Sequence, residues 1–390
     1  MESRPAETTP VGPLTDVSGL SEGTATPAIP AAVAARIAAA VNSSRSAGTR
    51  RAYASGWRRF TDWCTCNGHT ALPAHPVTVA AYLVDAADTV TAAGERAYAA
   101  STLSAWASAI NHYHQTTGHT SPTKHHLVTA ALAGIRRQYA AAGDRPRTQR
   151  APLLVSDVRH LVDTARHQCD GWADDVFERR DTALLLLGFA GAFRRSELAD
   201  LECRDVALHR EDGLHIRLRK TKTDQEGRGV VRALPTTESH VTCPPCAYVR
   251  WVQIVSAFDT GGRPSVIRLL RGRDSFDEHV CRGGVPRTAA RVPLFRAIAK
   301  NGNLGTTPLS GAAIHKTIRR RGERAGYDAT LVSQLGGHSL RSGFVTQAFR
   351  NGADAHAIMR QTGHTTPAML ERYARENAPL MGNAVTEIGL

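Results

Sequence analysis

The sequence predicts a mainly α-helical protein with a small antiparallel β-hairpin, built as an all-α domain followed by a mixed α+β domain. Three observations carry this. Apolar residues recur at helical spacing from Thr49 to Ala142 with no strand-like alternation. One pair of alternating runs, Leu214 to Pro235, flanks a polar, Gly-containing turn. The chain has 390 residues, more than one hydrophobic core usually serves, and a polar, proline-punctuated stretch, "GDRPRTQRAP", interrupts it at 143–152.

In chain order, residues 1–29 are rich in Pro, Thr, Ser, Gly and Glu with few large apolar residues, a composition that reads as a disordered arm. "PAAVAARIAAAVNSS" from Pro30 is a short Ala-rich helix. Thr49 is the expected N-cap of the next helix. That helix gathers Tyr53, Trp57, Phe60 and Cys64 on one face, with Arg50, Arg51, Arg58 and Arg59 largely elsewhere. Further helices are expected at 76–87, 101–114 and 123–142, giving a helical domain over 30–142, a linker over 143–152 and a second domain over 153–390. The second domain should open with helices at Val155–His167 and Asp181–Ala192 and continue into the hairpin. A helix near Ala247–Phe258 follows. The rest of 236–308 is poorly patterned, and the pattern is helical from Ser310 onward.

Composition narrows the function. Lys and Arg number 48 against 35 Asp and Glu, a net charge of +13 that would concentrate a polyanion such as nucleic acid around the protein. The longest apolar run, "ALLLLGFAGAF", is about half of the ~20 residues a bilayer span needs, so it reads as a buried helix and no membrane partner is expected. The N-terminus carries no signal or transit pattern, which points to the cytoplasm. Seven scattered cysteines read as reduced thiols. Cys243 and Cys246 in "CPPC" supply half of a tetrahedral zinc site, but no second pair lies near in sequence and Cys64 and Cys66 have the wrong spacing. The expectation is no metal.

Chemistry concentrates in a few stretches. In "GAFRRSELADL" an apolar helix breaks at a small-residue turn and a second is expected to start at Ser196, holding Arg194 at the junction. A fixed guanidinium fits phosphate oxygens well, and the alternative is a pair with Glu197 or Asp200. Lys222 sits in "RKTKTDQ" at the hairpin tip. His338 and Arg341, three apart, share a helical face, while Phe344, Val345 and Ala348 form the apolar side until Asn351 and Gly352 end the helix. A helix over Asp354–Gln361 stops at Gly363 and leaves His364 just past it. Thr366 then caps a third helix that carries Tyr373 on the side of Met369 and Leu370, a position that could also be core.

Together these motifs resemble the tyrosine recombinase, or phage integrase, family: "RRSEL", "RKTKT", "HSLR", "TGH" and a tyrosine nine residues beyond the second histidine. "SRSAGTRRAYASGWRRFTDWC" is similar to that family's core-binding (SAM-like) domain. The resemblance implies a C-shaped clamp of core-binding and catalytic domains around duplex DNA, cleaving and rejoining strands without metal, ATP or other cofactor. Arg194 and Arg341 would grip the scissile phosphate. His338 and His364 would add hydrogen bonds, with His338 also able to take the tyrosine proton. Lys222 would act as general acid, and Tyr373 would form a 3′-phosphotyrosyl link and free a 5′-hydroxyl. Arg50, Arg58 and Arg136 of the helical domain and Arg145, Arg147 and Arg150 of the linker would lie against the DNA backbone.

Implied partners are double-stranded DNA at paired recombination sites, three further copies in a homotetramer and, as candidates, accessory DNA-bending proteins. The implied location is cytoplasmic and nucleoid-associated. The tail beyond Tyr373 departs from the family pattern, being short and interrupted by Pro379 and Gly382. The alternatives are a noncatalytic basic DNA-binding protein and a topoisomerase IB-like nicking-closing enzyme using the same residues.

Overall fold

The computed structural model describes residues 30–144, 150–220, 229–272, 276 and 278–377. The arm 1–29, Arg145, Arg147, Lys222 and the tail from 378 lie outside the described residues. Two compact units divide the chain between Thr148 and Gln149.

The first unit is all helical: α1 (Ala31–Ser43), α2 (Ala47–Cys66), α3 (Pro76–Asp88), α4 (Ala100–Thr116) and α5 (His126–Ala142). Phe60, Tyr82, Leu83, Leu103, Ile110, Val128 and Ile135 form its core. Gly56 lets α2 close on α4, since a Cβ there would lie 3.1 Å from that of Ala109. Two sequence expectations are corrected. The N-cap of α2 is Ser46, whose Oγ accepts from Thr49 N at 3.2 Å; Thr49 lies inside the first turn. The helix expected from 123 begins at His126, because a 3₁₀ turn, Pro122–Lys124, precedes it and the His125 ring caps it.

In the second unit, α6 (Val155–His167) and α7 (Trp172–Ala190) lead to a short α8 (Arg195–Ala199). A three-stranded antiparallel sheet follows, ordered β1 (Val206–His209), β2 (Gly213–Leu218), β3 (Val230–Leu234). Then come α9 (Pro244–Arg271), a two-stranded ribbon of β4 (Arg296–Ile298) and β5 (Leu304–Pro308), and helices α10 (Gly311–Arg324), α11 (Ala329–Gln334), α12 (Ser339–Arg350), α13 (Ala355–Thr362) and α14 (Pro367–Asn377). The core runs along α7 and α9, with Leu184, Leu185, Leu187, Trp251, Val255, Phe295 and Leu340 buried. Among the described residues, no helix is long and apolar enough to cross a membrane.

Helix α7 starts nine residues before the expected Asp181, and its early turns hide charge that masked the apolar period. Asp181 is fully buried, yet Arg180, Arg320 and Arg321 lie 2.7 to 2.8 Å from its oxygens. Burial opposes its ionisation, but these guanidiniums outweigh it and hold the carboxyl below its ordinary range. Helix α9 likewise outruns the expected Phe258 and continues past a break at Gly261 and Gly262, the latter at φ 61°. Strands β1, β4 and β5 were not expected. At three to five residues each they are too short to display an alternating pattern.

The expectation that Cys243 and Cys246 lack partners is also corrected. His279 and Cys281, more than thirty residues downstream, face them across the start of α9.

Candidate active site

The site is assembled where the turn after α7 meets α12, α13 and α14. Glu197 is the third residue of α8 and its carboxylate reaches back. Oε2 accepts from Arg194 N at 2.9 Å, and Oε1 lies 2.7 Å from Arg194 Nη1. This carboxylate is the helix cap, so the expected Ser196 cap is corrected: α8 opens at Arg195 with Arg194 as the flanking residue. The foreseen pair of Arg194 with Glu197 exists, and Asp200 is exposed. The half-buried Arg194 is thereby oriented.

The turn itself is strained. Ala192 has φ 47°, a left-handed conformation costly for a side chain with a Cβ, and a Cβ on Gly191 would strike the Phe193 ring at 2.2 Å. The contortion turns two carbonyls inward. Ala192 O accepts from Arg341 Nη1 at 2.8 Å, and Gly191 O from Arg232 Nη1 at 2.7 Å. Arg341 lies in the first turn of α12 and is 1% exposed. Its Nη1 also donates to Thr362 O at 2.6 Å, and its Nη2 to His364 Nε2 at 3.0 Å. Gly343, two residues on, admits Leu153 O to within 1.7 Å of where a Cβ would stand, which fixes how deeply α12 sits.

The hydrogen-bond pattern assigns His364 a tautomer. Thr362 Oγ1 gives its only proton to Ile358 O at 2.8 Å, so its 2.8 Å contact with His364 Nδ1 requires that nitrogen to be the donor. Nε2 then carries the lone pair that accepts from Arg341. Burial, Arg341 and Arg194 together push the imidazole pKa down to about 3, so it is neutral at physiological pH. Burial and the neighbouring Arg194 lower Arg341 as well, to about 10, which leaves it cationic. In this arrangement the His364 proton faces Thr362 and its Nε2 accepts from Arg341.

Tyr373 reaches the site from α14, which docks through Leu370 on Val345 and Ile358. Its hydroxyl lies 3.0 Å from His338 Nε2, and its ring centroid 5.9 Å from that of His364. His338 is exposed at the N-cap of α12. One cluster thus gathers Arg194, His338, Arg341, His364 and Tyr373, while Lys222 lies outside the described residues. The site also contains residues that sequence reasoning did not select. Arg232 is 1% exposed, lies 3.3 Å from Glu197 Oε2 and shares the Thr362 carbonyl. Its signal was present, since Arg232 and Leu234 occupy the same inward face of β3 and an arginine there needs a partner. Arg194 and Arg232 flank the buried Glu197 carboxylate, and with Arg341 beside them the cluster carries more positive than negative charge next to the tyrosine.

Of the expected DNA contacts, Arg50, Arg58 and Arg136 are exposed in the first unit, and Arg136 Nη2 donates to Ser104 Oγ at 2.9 Å. Arg150 is exposed in the second unit, with Nη1 donating to Ser333 O at 2.9 Å.

The neutral, buried His364 sets a pH dependence. Its ordinary pKa near 6.5 applies in the unfolded chain, so the unfolded state takes up a proton first as pH falls and stability drops between about 6.5 and 3. Melting temperature measured from pH 7.5 to 4.5 should fall less steeply for His364→Gln than for the native protein. Equal slopes would mean that His364 titrates normally in the fold.

The family model for the phage integrase family matches residues 299–379. The sequence is 30% identical over 348 residues to the integrase/recombinase XerD homologue of Selenomonas ruminantium, a match spanning 88% of this chain and 86% of that protein. Among solved structures, XerA recombinase aligns with 91% of this chain and 96% of its own at 17% identity and a TM-score of 0.37. XerH site-specific recombinase, bound to palindromic difH substrate in a post-cleavage complex, aligns with 80% of this chain and 72% of its own at 15% identity and a TM-score of 0.45. Because the identity to the Selenomonas protein is sustained over most of both sequences, the chain belongs to the phage integrase family of tyrosine-type site-specific DNA recombinases.

Proposed function

We propose that the protein cleaves and rejoins duplex DNA at specific sites through a covalent 3′-phosphotyrosyl intermediate on Tyr373. The observation that carries this reading is the 3.0 Å contact between Tyr373 Oη and His338 Nε2, at the edge of a cluster holding three guanidiniums and one carboxylate. An alcohol attacks phosphorus only as it loses its proton, and His338 is placed to accept it. Attack adds negative charge to the nonbridging oxygens. Arg194 and Arg341 are fixed by Glu197, Ala192 O and Thr362 O before substrate arrives, so little reorganisation is needed when that charge develops. The P–O5′ bond breaks as the tyrosyl bond forms, and the 5′-oxygen needs a proton, which we assign to Lys222. The phosphotyrosine conserves the bond energy, so a second strand's 5′-hydroxyl can displace Tyr373 with no nucleotide consumed.

A substrate nicked near the cleavage point tests this, because diffusion of the short 5′-hydroxyl fragment away from the site traps the intermediate. The expected product is a protein–DNA adduct stable on denaturing gels, with the nucleotide mapping to Tyr373. An adduct mapping to another residue would overturn the assignment. Steady relaxation of supercoiled plasmid lacking any target site would favour the nicking-closing alternative.

The paired reaction calls for a homotetramer on two duplexes in the cytoplasm, and the exposed arginines of the first unit supply the nonspecific part of the affinity. Charge reversal at Arg50 and Arg58 should weaken binding to target and nontarget duplex alike. It should also reduce the slope of log affinity against log salt by about 1 for each phosphate no longer neutralised. An unchanged slope in a gel-shift titration would remove these arginines from the interface.

A further inference from the structure

We propose that the second unit contains a structural zinc site formed by Cys243, Cys246, His279 and Cys281. The four side chains present one ligand atom each, all within 4.8 Å of one another. His279 Nδ1 lies 3.3 Å from Cys246 Sγ and 3.9 Å from Cys281 Sγ. A tetrahedral ion with ordinary zinc–sulfur and zinc–nitrogen bonds separates such ligands by about 3.6 Å, and two sulfurs by about 3.8 Å. The two nitrogen–sulfur separations bracket the first value, and a contraction of at most about 1 Å would bring the widest pair to the second.

Two of the four ligands sit at one helix start. Cys243 is the N-cap of α9 and Cys246 lies in its first turn, where the helix end favours negative charge. Pro244 and Pro245 occupy the first two positions of α9, where a missing N–H costs no helical bond. Cys243 and Cys246 are fully buried and Cys281 is 6% exposed.

His279 is oriented in the manner metal-bound histidines require. Its Nε2 lies 3.3 Å from the backbone carbonyl of Glu238, which can only accept, so the proton resides on Nε2 and the Nδ1 lone pair faces the sulfurs. Three soft sulfur ligands with one imidazole select zinc over magnesium, calcium or manganese. All four positions come from protein, leaving none open for substrate. The ion would pin the start of α9 to the 3₁₀ turn Val280–Arg282, joining segments that share little regular structure.

The test uses the full chain, purified without a polyhistidine tag. Elemental analysis should find about one zinc per chain, and X-ray absorption should fit three sulfurs and one nitrogen. Cobalt(II) exchanged into the native protein should give a thiolate charge-transfer band and the intense visible bands of tetrahedral coordination, which do not depend on any variant folding. Cys246→Ser should retain at least tenfold less zinc. His279→Cys, which preserves a four-ligand set, should retain it with an all-sulfur spectrum. Substoichiometric zinc together with weak octahedral cobalt bands would overturn the proposal, as would a Cys243–Cys246 disulfide in protein isolated under nonreducing conditions.

Discussion

Tyr373→Phe should abolish covalent adducts and lower strand cleavage by about 10⁴-fold or more, the scale of loss when a covalent nucleophile is removed. Duplex affinity should change little, because the substitution deletes one oxygen and leaves the charge of the site intact. The fold should tolerate it. The Tyr373 ring packs on the cluster of Val345, Ile358 and Leu370, and phenylalanine keeps that packing. The hydrogen bond it removes runs to the exposed His338, so the stability change should stay within about 1 kcal/mol. Cleavage assays, gel shifts and melting curves on one preparation separate these effects. Adducts persisting in Tyr373→Phe would place the nucleophile elsewhere, and a noncatalytic binder would form none in either protein.

Much of this site could be read from residue spacing because its parts sit at helix boundaries, where local signals are strong. Gly363 ends α13 in the left-handed conformation at φ 67°, Pro367 opens α14, and these two marks place His364 and Tyr373 before any tertiary contact is known. Arg232 was not legible in that way. Its role depends on the pairing of β3 with β2 and on carbonyls contributed by a turn forty residues earlier and a helix end 130 residues later. Helix α7 looks shorter in sequence than it is for a related reason: Glu178, Arg180 and Asp181 resemble surface residues until their partners from α6, α10 and each other are seen. The proposed zinc ligands behave the same way, since "CPPC" announces two of them while His279 and Cys281 emerge from a stretch with no regular pattern. Local rules located ends, caps and faces; pairings between distant polar groups required the fold.

Arg341→Lys separates charge from geometry at the centre of the site. The lysine would keep one positive charge, but its three protons cannot reproduce the fork by which Arg341 meets Ala192 O, Thr362 O and His364 Nε2 while facing substrate. Ala192 O would then lose its donor, at a cost of about 1–3 kcal/mol, while Thr362 O would keep only the longer bond from Arg232 Nη2 at 3.3 Å. Melting temperature should fall accordingly. Cleavage should drop about 10²- to 10³-fold beyond any decrease in folded protein, the usual consequence of removing one preorganised donor from an oxyanion. With His364 Nε2 accepting from Arg341, His364→Ala is expected to reduce cleavage less than Arg341→Lys. The double variant should be scarcely worse than Arg341→Lys alone, since both changes break one network. Multiplicative effects in that cycle would show His364 acting on the phosphate independently, while near-native cleavage by Arg341→Lys would reduce the network around Arg341 to a source of charge.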